Sequence, residues 1–105
     1  MNKQDVIKYP EKKGNIDIFP QIQDGNAISI TIIGDPDGLR YLSSLLLKLA
    51  DYDQEISQAP SGSREHIHLH AGYQLGNHSC EVEICRADAK GTKELPEFMI
   101  KENPG

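Results

Sequence analysis

The chain has 105 residues, 37% of them hydrophobic, and 16 acidic against 11 basic side chains give it a formal net charge of −5. This length is typical of one domain, residues 1–105, with a single core between a helix and a sheet. A net negative surface disfavours nonspecific binding to nucleic acid or anionic lipid, and no apolar run approaches the roughly 18 residues that span a bilayer. Two cysteines, Cys80 and Cys85, are too few for a disulfide framework, and the first residues lack the apolar core of a signal peptide. We therefore expect a cytoplasmic protein with reduced thiols.

The first third of the sequence predicts an arm and a hairpin. Residues 1–15 are polar without a sustained period, which is typical of a loose N-terminal arm. Residues 15–23 alternate as a strand does, and Pro20, which has no N–H to donate, favours an edge position. After the turn signal at 24–26, residues 27–33 form the most strand-like stretch of the chain, with alternate isoleucines on one face: Ile28, Ile30 and Ile32.

Residues 34–54 change to the helical period. Asp35 can cap a helix, and Pro36 suits its first turn. Leucines recur at steps of three and four residues and predict one apolar side: Leu39, Leu42, Leu45, Leu46 and Leu49. Gly38 in the first turn is costly for a helix, which indicates a close approach either of the sheet or of a partner's backbone.

Two further strands follow a polar loop. They cover residues 65–71 and 79–87, and the tail at 93–105 contains two prolines and little periodicity, which predicts an irregular segment. The order β-β-α-β-β predicts an α+β fold, a two-layer sandwich in which one helix packs on one face of a four-stranded, mainly antiparallel sheet.

The last two strands have opposite polarity on their two faces. In "EHIHLHA" histidines alternate with apolar residues, and in "CEVEIC" glutamates do so. If the strands pair as a hairpin, the apolar residues must share one side, because a slip of one residue would turn them all into water. The pairing then sets Ile67 beside Ile84 and Leu69 beside Val82. It leaves a polar row on the side away from the helix, which we call the His–Glu face: His66, His68, His70, Glu81 and Glu83.

Alternating histidines on a strand can also bind zinc, with His78 of the following loop as a further ligand. The predicted face is open rather than enclosed, and cross-strand His–Glu pairs stabilise sheets without a metal. A Cys85–His66 pair has the residue types of a nucleophilic site, but the sequence offers no oxyanion pocket beside it. We therefore predict no catalytic residues, no metal and no cofactor. The alternative is a small metal-binding module or metal-dependent enzyme that uses His66, His68, His70 and His78.

Three stretches, "GDPDGLRYLSSLLLKLAD", "REHIHLHAGYQL" and "HSCEVEICRADAKG", together resemble the immunity protein 32 family of bacterial polymorphic toxin systems over roughly residues 28–92. The resemblance implies a non-enzymatic protein that binds a cognate toxin domain in the producing cell and blocks it. The acidic charge suits a basic toxin, and the His–Glu face would form the contact, with Tyr73 and Gln74 of the hairpin loop adding reach. A further hypothesis is a homodimer formed through an exposed sheet face or edge strand.

Overall fold

A computed structural model of the chain describes residues 7–102. Strands β1 (Ile16–Gln23) and β2 (Asn26–Gly34) precede helix α1 (Pro36–Asp51), and a short 3-10 turn (Gln54–Ile56) leads on to strands β3 (His66–Leu69) and β4 (Val82–Cys85) and helix α2 (Glu97–Glu102). The predicted α+β class and the order β-β-α-β-β are confirmed. The predicted single sheet is wrong, since β1–β2 and β3–β4 form two separate antiparallel sheets of two strands each.

The junction between the two sheets explains why they do not merge. The loop before β4 runs along the outer edge of β1, where the N–H of Gly76 donates to the carbonyl of Ile16 at 2.8 Å and the N–H of Cys80 to that of Ile18 at 2.9 Å. Alternate residues of a strand direct their backbone groups to the same edge, so the next residue of β1 on this edge is Pro20. Proline has no N–H to continue the ladder, and regular pairing ends there.

Helix α1 packs across both sheets and closes one shared core. The Asp35 side chain accepts a hydrogen bond from the N–H of Gly38 at 2.7 Å and caps the helix as predicted. Leu39 and Leu46 of the predicted apolar side are 46% and 43% exposed, and Tyr41 is buried instead. None of the helices within residues 7–102 has the length and apolarity needed to cross a membrane. The core contains Ile16, Ile18, Tyr41, Leu42, Leu45, Leu49, Ile67, Leu69 and Leu75.

Gly38 is buried because the chain passes directly over it. A Cβ atom at this position would overlap the carbonyl oxygen of Asn15, the residue that precedes β1. Asn15 is held there by Asp35, which accepts hydrogen bonds from its backbone N–H at 3.0 Å and from its side-chain amide at 2.9 Å. The close approach that Gly38 indicated is therefore to this chain's own backbone.

The two terminal segments are more ordered than expected. The arm forms no helix or strand over 7–15, yet Ile7 packs against the core and Tyr9 binds β3. The tail contains α2, and the carbonyl group of Pro96, the residue before it, accepts the first backbone hydrogen bonds of the helix. Residues 1–6 and 103–105, which complete the predicted arm and tail, lie outside the described part of the chain.

Candidate functional site

The predicted register of β3 and β4 is confirmed. Ile67 lies opposite Ile84 and Leu69 opposite Val82, while His68 lies opposite Glu83. Ile67 and Leu69 are 2% and 1% exposed beneath α1. Because neighbouring residues of a strand point to opposite faces, their burial turns the histidines outward to form the His–Glu face.

Two cross-strand pairs lie on this face. The Nδ1 atom of His70 is 3.2 Å from a carboxylate oxygen of Glu81, and that of His68 is 4.0 Å from one of Glu83. The four side chains are between 52% and 68% exposed, so solvent screens both pairs and each adds little to stability. The groups are therefore available to a partner.

The aromatic rings of the face form one continuous row. The rings of His66 and His68 meet edge to face with centroids 4.9 Å apart, and those of His68 and His70 are nearly parallel at 6.2 Å. Tyr73 extends the row, since its ring meets that of His70 at 6.4 Å and the residue is 74% exposed. The result is an exposed row of rings with two carboxylates along one side.

Hydrogen bonds to the backbone fix the end of this row. The side-chain oxygen of Gln74 accepts from the N–H of His70 at 2.9 Å, and a Glu81 oxygen accepts from the N–H of Ala71 at 3.1 Å. Gln74 is half-buried, so it positions the strand end, whereas Tyr73 projects from the hairpin loop. Of the two loop residues predicted to add reach, Tyr73 has the exposure to do so.

Cys85 joins the face at its other end, opposite His66. Its thiol donates to a carboxylate oxygen of Glu83 at 2.9 Å, which lowers the pKa of Glu83, and the nearby His66 and His68 lower it further. The same hydrogen bond, with burial and the charge of Glu83, raises the pKa of Cys85. A cysteine nucleophile needs the opposite shift, so this environment favours the thiol over the thiolate.

The residues proposed for the metal alternative do not converge. His66 and His68 lie along β3, His70 lies just beyond its end, and His78 is exposed in the loop before β4. Across residues 7–102 no group of three or more His, Cys, Asp or Glu side chains is arranged to hold a metal ion.

Sequence reasoning missed Tyr9 as a support of the site. Its hydroxyl donates to the carbonyl of His68 at 2.8 Å and accepts from the N–H of the same residue at 3.1 Å. The two residues are 59 positions apart, and no local pattern connects them. A lone tyrosine in a polar segment was the only available signal.

A model of the immunity protein 32 family matches residues 29–87, more than half of the chain. The matched range contains α1, β3, β4 and the whole His–Glu face. No curated protein and no solved structure gives a significant match.

Proposed function

The chain belongs to the immunity protein 32 family, and from that premise we propose that it neutralises a cognate bacterial toxin by binding it through the His–Glu face. The observation that supports this surface is its form: three imidazoles, two carboxylates and a projecting tyrosine lie in one open row on the side that α1 leaves uncovered. An open row of this kind suits a protein surface rather than a small substrate, which is usually enclosed in a pocket.

The charge of the face defines the partner. Glutamate is depleted from the centres of protein interfaces unless it meets an opposite charge. Glu81 and Glu83 are exposed, and the lowered pKa of Glu83 keeps its carboxylate ionised. We therefore propose that the toxin presents lysine or arginine side chains here, and that the chain's net charge of −5 speeds the encounter with it.

Tyr73 supplies the apolar part of the contact. Binding energy in protein interfaces is concentrated in a few residues, among which tyrosine is frequent. Its ring continues the histidine row and is 74% exposed. We propose that Tyr73 inserts into the toxin surface, while Gln74 keeps the hairpin loop in place. Inhibition then results from covering the toxin in the cytoplasm of the producing cell, with no reaction catalysed by this chain.

The test is protection of growth. The chain is co-expressed with the C-terminal domain of a polymorphic toxin whose growth inhibition it relieves, and compared with the double variant Glu81→Lys/Glu83→Lys. The matched control is Glu11→Lys/Asp51→Lys, which makes the same change of charge at two exposed carboxylates on and beside α1. Circular dichroism and thermal unfolding confirm that both variants are folded.

We expect the first variant to lose protection and the control to keep it. A folded Glu81→Lys/Glu83→Lys variant that protects as well as the unchanged chain would show that the His–Glu face is not the contact. Equal loss in both variants would show that overall charge, and not this face, is what the toxin recognises.

A further inference from the structure

The outer edge of β2 has free backbone groups. In β1, the N–H and carbonyl of Ile18 point away from β2, toward Ser79 and Cys80. Ile18 lies opposite Ile32, and in an antiparallel pair both residues of such a position direct their backbone groups outward. The N–H and carbonyl groups of Ile32, and by the same parity those of Ile30, therefore face outward. Within residues 7–102 no hydrogen bond from another part of the chain reaches them.

The same edge carries uncovered aliphatic side chains. Ile28, Ile30 and Ile32 are 61%, 61% and 53% exposed. By register Ile30 and Ile32 share the face of Ile16 and Ile18, which packs under α1, whereas Ile28 is the extra residue of a β-bulge and has no register partner in β1. The core face of the first sheet thus continues past the helix into solvent.

Helix α1 adds exposed leucines to this apolar surface. Tyr41 and Ser44, on one side of α1, line a depression together with Pro10 of the N-terminal arm. The arm lies by β3, to which Tyr9 binds, so the opposite side of the helix faces the β2 end of the molecule. That side presents two half-exposed leucines, Leu39 and Leu46.

We propose that this edge pairs with the same edge of a second copy, forming a twofold-symmetric dimer through antiparallel β2 strands. With the axis at Thr31, Ile30 of each chain lies opposite Ile32 of the other. Both residues direct their backbone N–H and carbonyl groups outward. Ile30 of one chain and Ile32 of the other can therefore exchange two hydrogen bonds, as an antiparallel pair requires. The bulged residue of β2, Ile28, lies three residues from this axis, so the proposed regular pairing extends from Ser29 to Ile33.

A second copy fits this edge because the strand is uncharged and its register is self-complementary about Thr31. Strand β2, Asn26–Gly34, contains no Asp, Glu, Lys or Arg, so two chains that each carry a net charge of −5 meet here without like charges in the strand. Natural edge strands usually carry lysine, proline or a charged residue that prevents such pairing. Among the residues of β2 none of these occurs, and its bulge at Ile28 lies toward one end of the strand.

The apolar surface at this edge is contiguous rather than scattered. It offers three isoleucines and two leucines, each 43–61% exposed, together with the backbone of a nine-residue strand. Contiguous exposed apolar surface of this kind marks interaction sites. The dimer does not rest on the proposed function, because the His–Glu face lies on other strands and stays open.

The first test is the mass of the full chain in solution without a toxin. Light scattering at submillimolar concentration should give twice the chain mass of 11.7 kDa. Ile30→Lys places two like charges beside the axis and should give 11.7 kDa, with unchanged circular dichroism. The matched control is Leu47→Lys, which changes a leucine of α1 that is 60% exposed and lies outside the edge; it should remain dimeric.

The second test reads the register by cross-linking. In a Cys80→Ser/Cys85→Ser background, Thr31→Cys should form a disulfide between copies, because residues on the axis in a non-hydrogen-bonded pair have Cα atoms about 4.5 Å apart. Ser29→Cys should not form one. With the axis at Thr31, Ser29 of one chain lies opposite Ile33 of the other, four positions away from the second Ser29. A monomer at all concentrations, a mass that rises past twice the chain mass, or a dimer that a folded Ile30→Lys variant leaves intact would each overturn the proposal.

Discussion

The hydroxyl of Tyr9 closes the free edge of β3 by binding both backbone groups of His68, its carbonyl at 2.8 Å and its N–H at 3.1 Å. One side chain thereby satisfies the two backbone groups that a neighbouring strand would otherwise bind. The contact holds the backbone of His68, the central histidine of the His–Glu face, from the edge of the strand. It also explains why residues 7–15 are anchored although they form no helix or strand.

Tyr9→Phe removes the hydroxyl and keeps the ring. We expect a loss of about 1 kcal/mol in the free energy of unfolding, since two backbone groups lose a hydrogen-bond partner at a partly solvated edge. Urea titration measures the loss, and hydrogen exchange at the His68 amide should become faster. Tyr73→Phe serves as the control, because the hydroxyl of Tyr73 is exposed and makes no hydrogen bond within residues 7–102. Equal exchange at His68 in both variants would show that Tyr9 does not hold β3.

Gly38→Ala separates helix propensity from packing. On propensity alone the change would stabilise α1 by about 1 kcal/mol. A Cβ atom would instead overlap the carbonyl oxygen of Asn15, and overpacking of this kind costs about 1–3 kcal/mol. We predict a lower melting temperature for Gly38→Ala and a slightly higher one for Ser43→Ala on the exposed side of the same helix. A stabilised Gly38→Ala protein would contradict the close approach of Asn15.

Arg86 ties the end of β4 to the end of α1. It donates to the carbonyls of Leu49 and Tyr52 at 3.0 and 2.8 Å, and binds both carboxylate oxygens of Asp88 at 2.8 and 2.7 Å. We expect Arg86→Ala to cost about 2–3 kcal/mol, because several half-buried acceptors lose a charged donor. Arg40→Ala, which breaks a highly exposed ion pair, should cost at most about 0.5 kcal/mol. Chemical denaturation of both variants gives the comparison, and equal losses would contradict this role of Arg86.

The same pair makes stability sensitive to acid. The hydrogen bonds from Arg86 hold the pKa of Asp88 below its ordinary value of 3.8. A carboxylate whose pKa is lowered by folding adds stability above its unfolded pKa, and this is lost as the pH falls through the lower folded value. The melting temperatures of the unchanged chain and of Asp88→Asn should therefore differ at neutral pH and converge below about pH 4. In an Arg86→Ala background the difference should be small at every pH, and a difference that persisted there would contradict the assigned cause.

The His–Glu face was predictable because it depends on the alternation of residues within two short segments. The alternation around Ile67 and Leu69 fixes which side of β3 is buried, and the same alternation in β4 then fixes the register. The helix was predictable for a similar reason, since the Asp35 cap and the leucine spacing lie within one segment.

Other features depend on contacts that are distant in sequence. The isoleucines of β2 have a strand pattern, but the pattern does not say that α1 would leave them uncovered. Pro20 indicated an edge, although not that its missing donor would divide the sheet in two. Arg86 and Tyr9 looked like ordinary polar residues, because their partners lie 34 and 59 positions away.

Binding of the purified toxin domain tests the central claim most directly. Calorimetric titration at two salt concentrations compares the unchanged chain with Glu81→Lys/Glu83→Lys and with the control Glu11→Lys/Asp51→Lys. We predict that the unchanged chain and the control bind, that their affinity falls with added salt, and that the Glu81→Lys/Glu83→Lys variant loses at least tenfold in affinity. Unchanged affinity in that folded variant would contradict toxin binding through the His–Glu face.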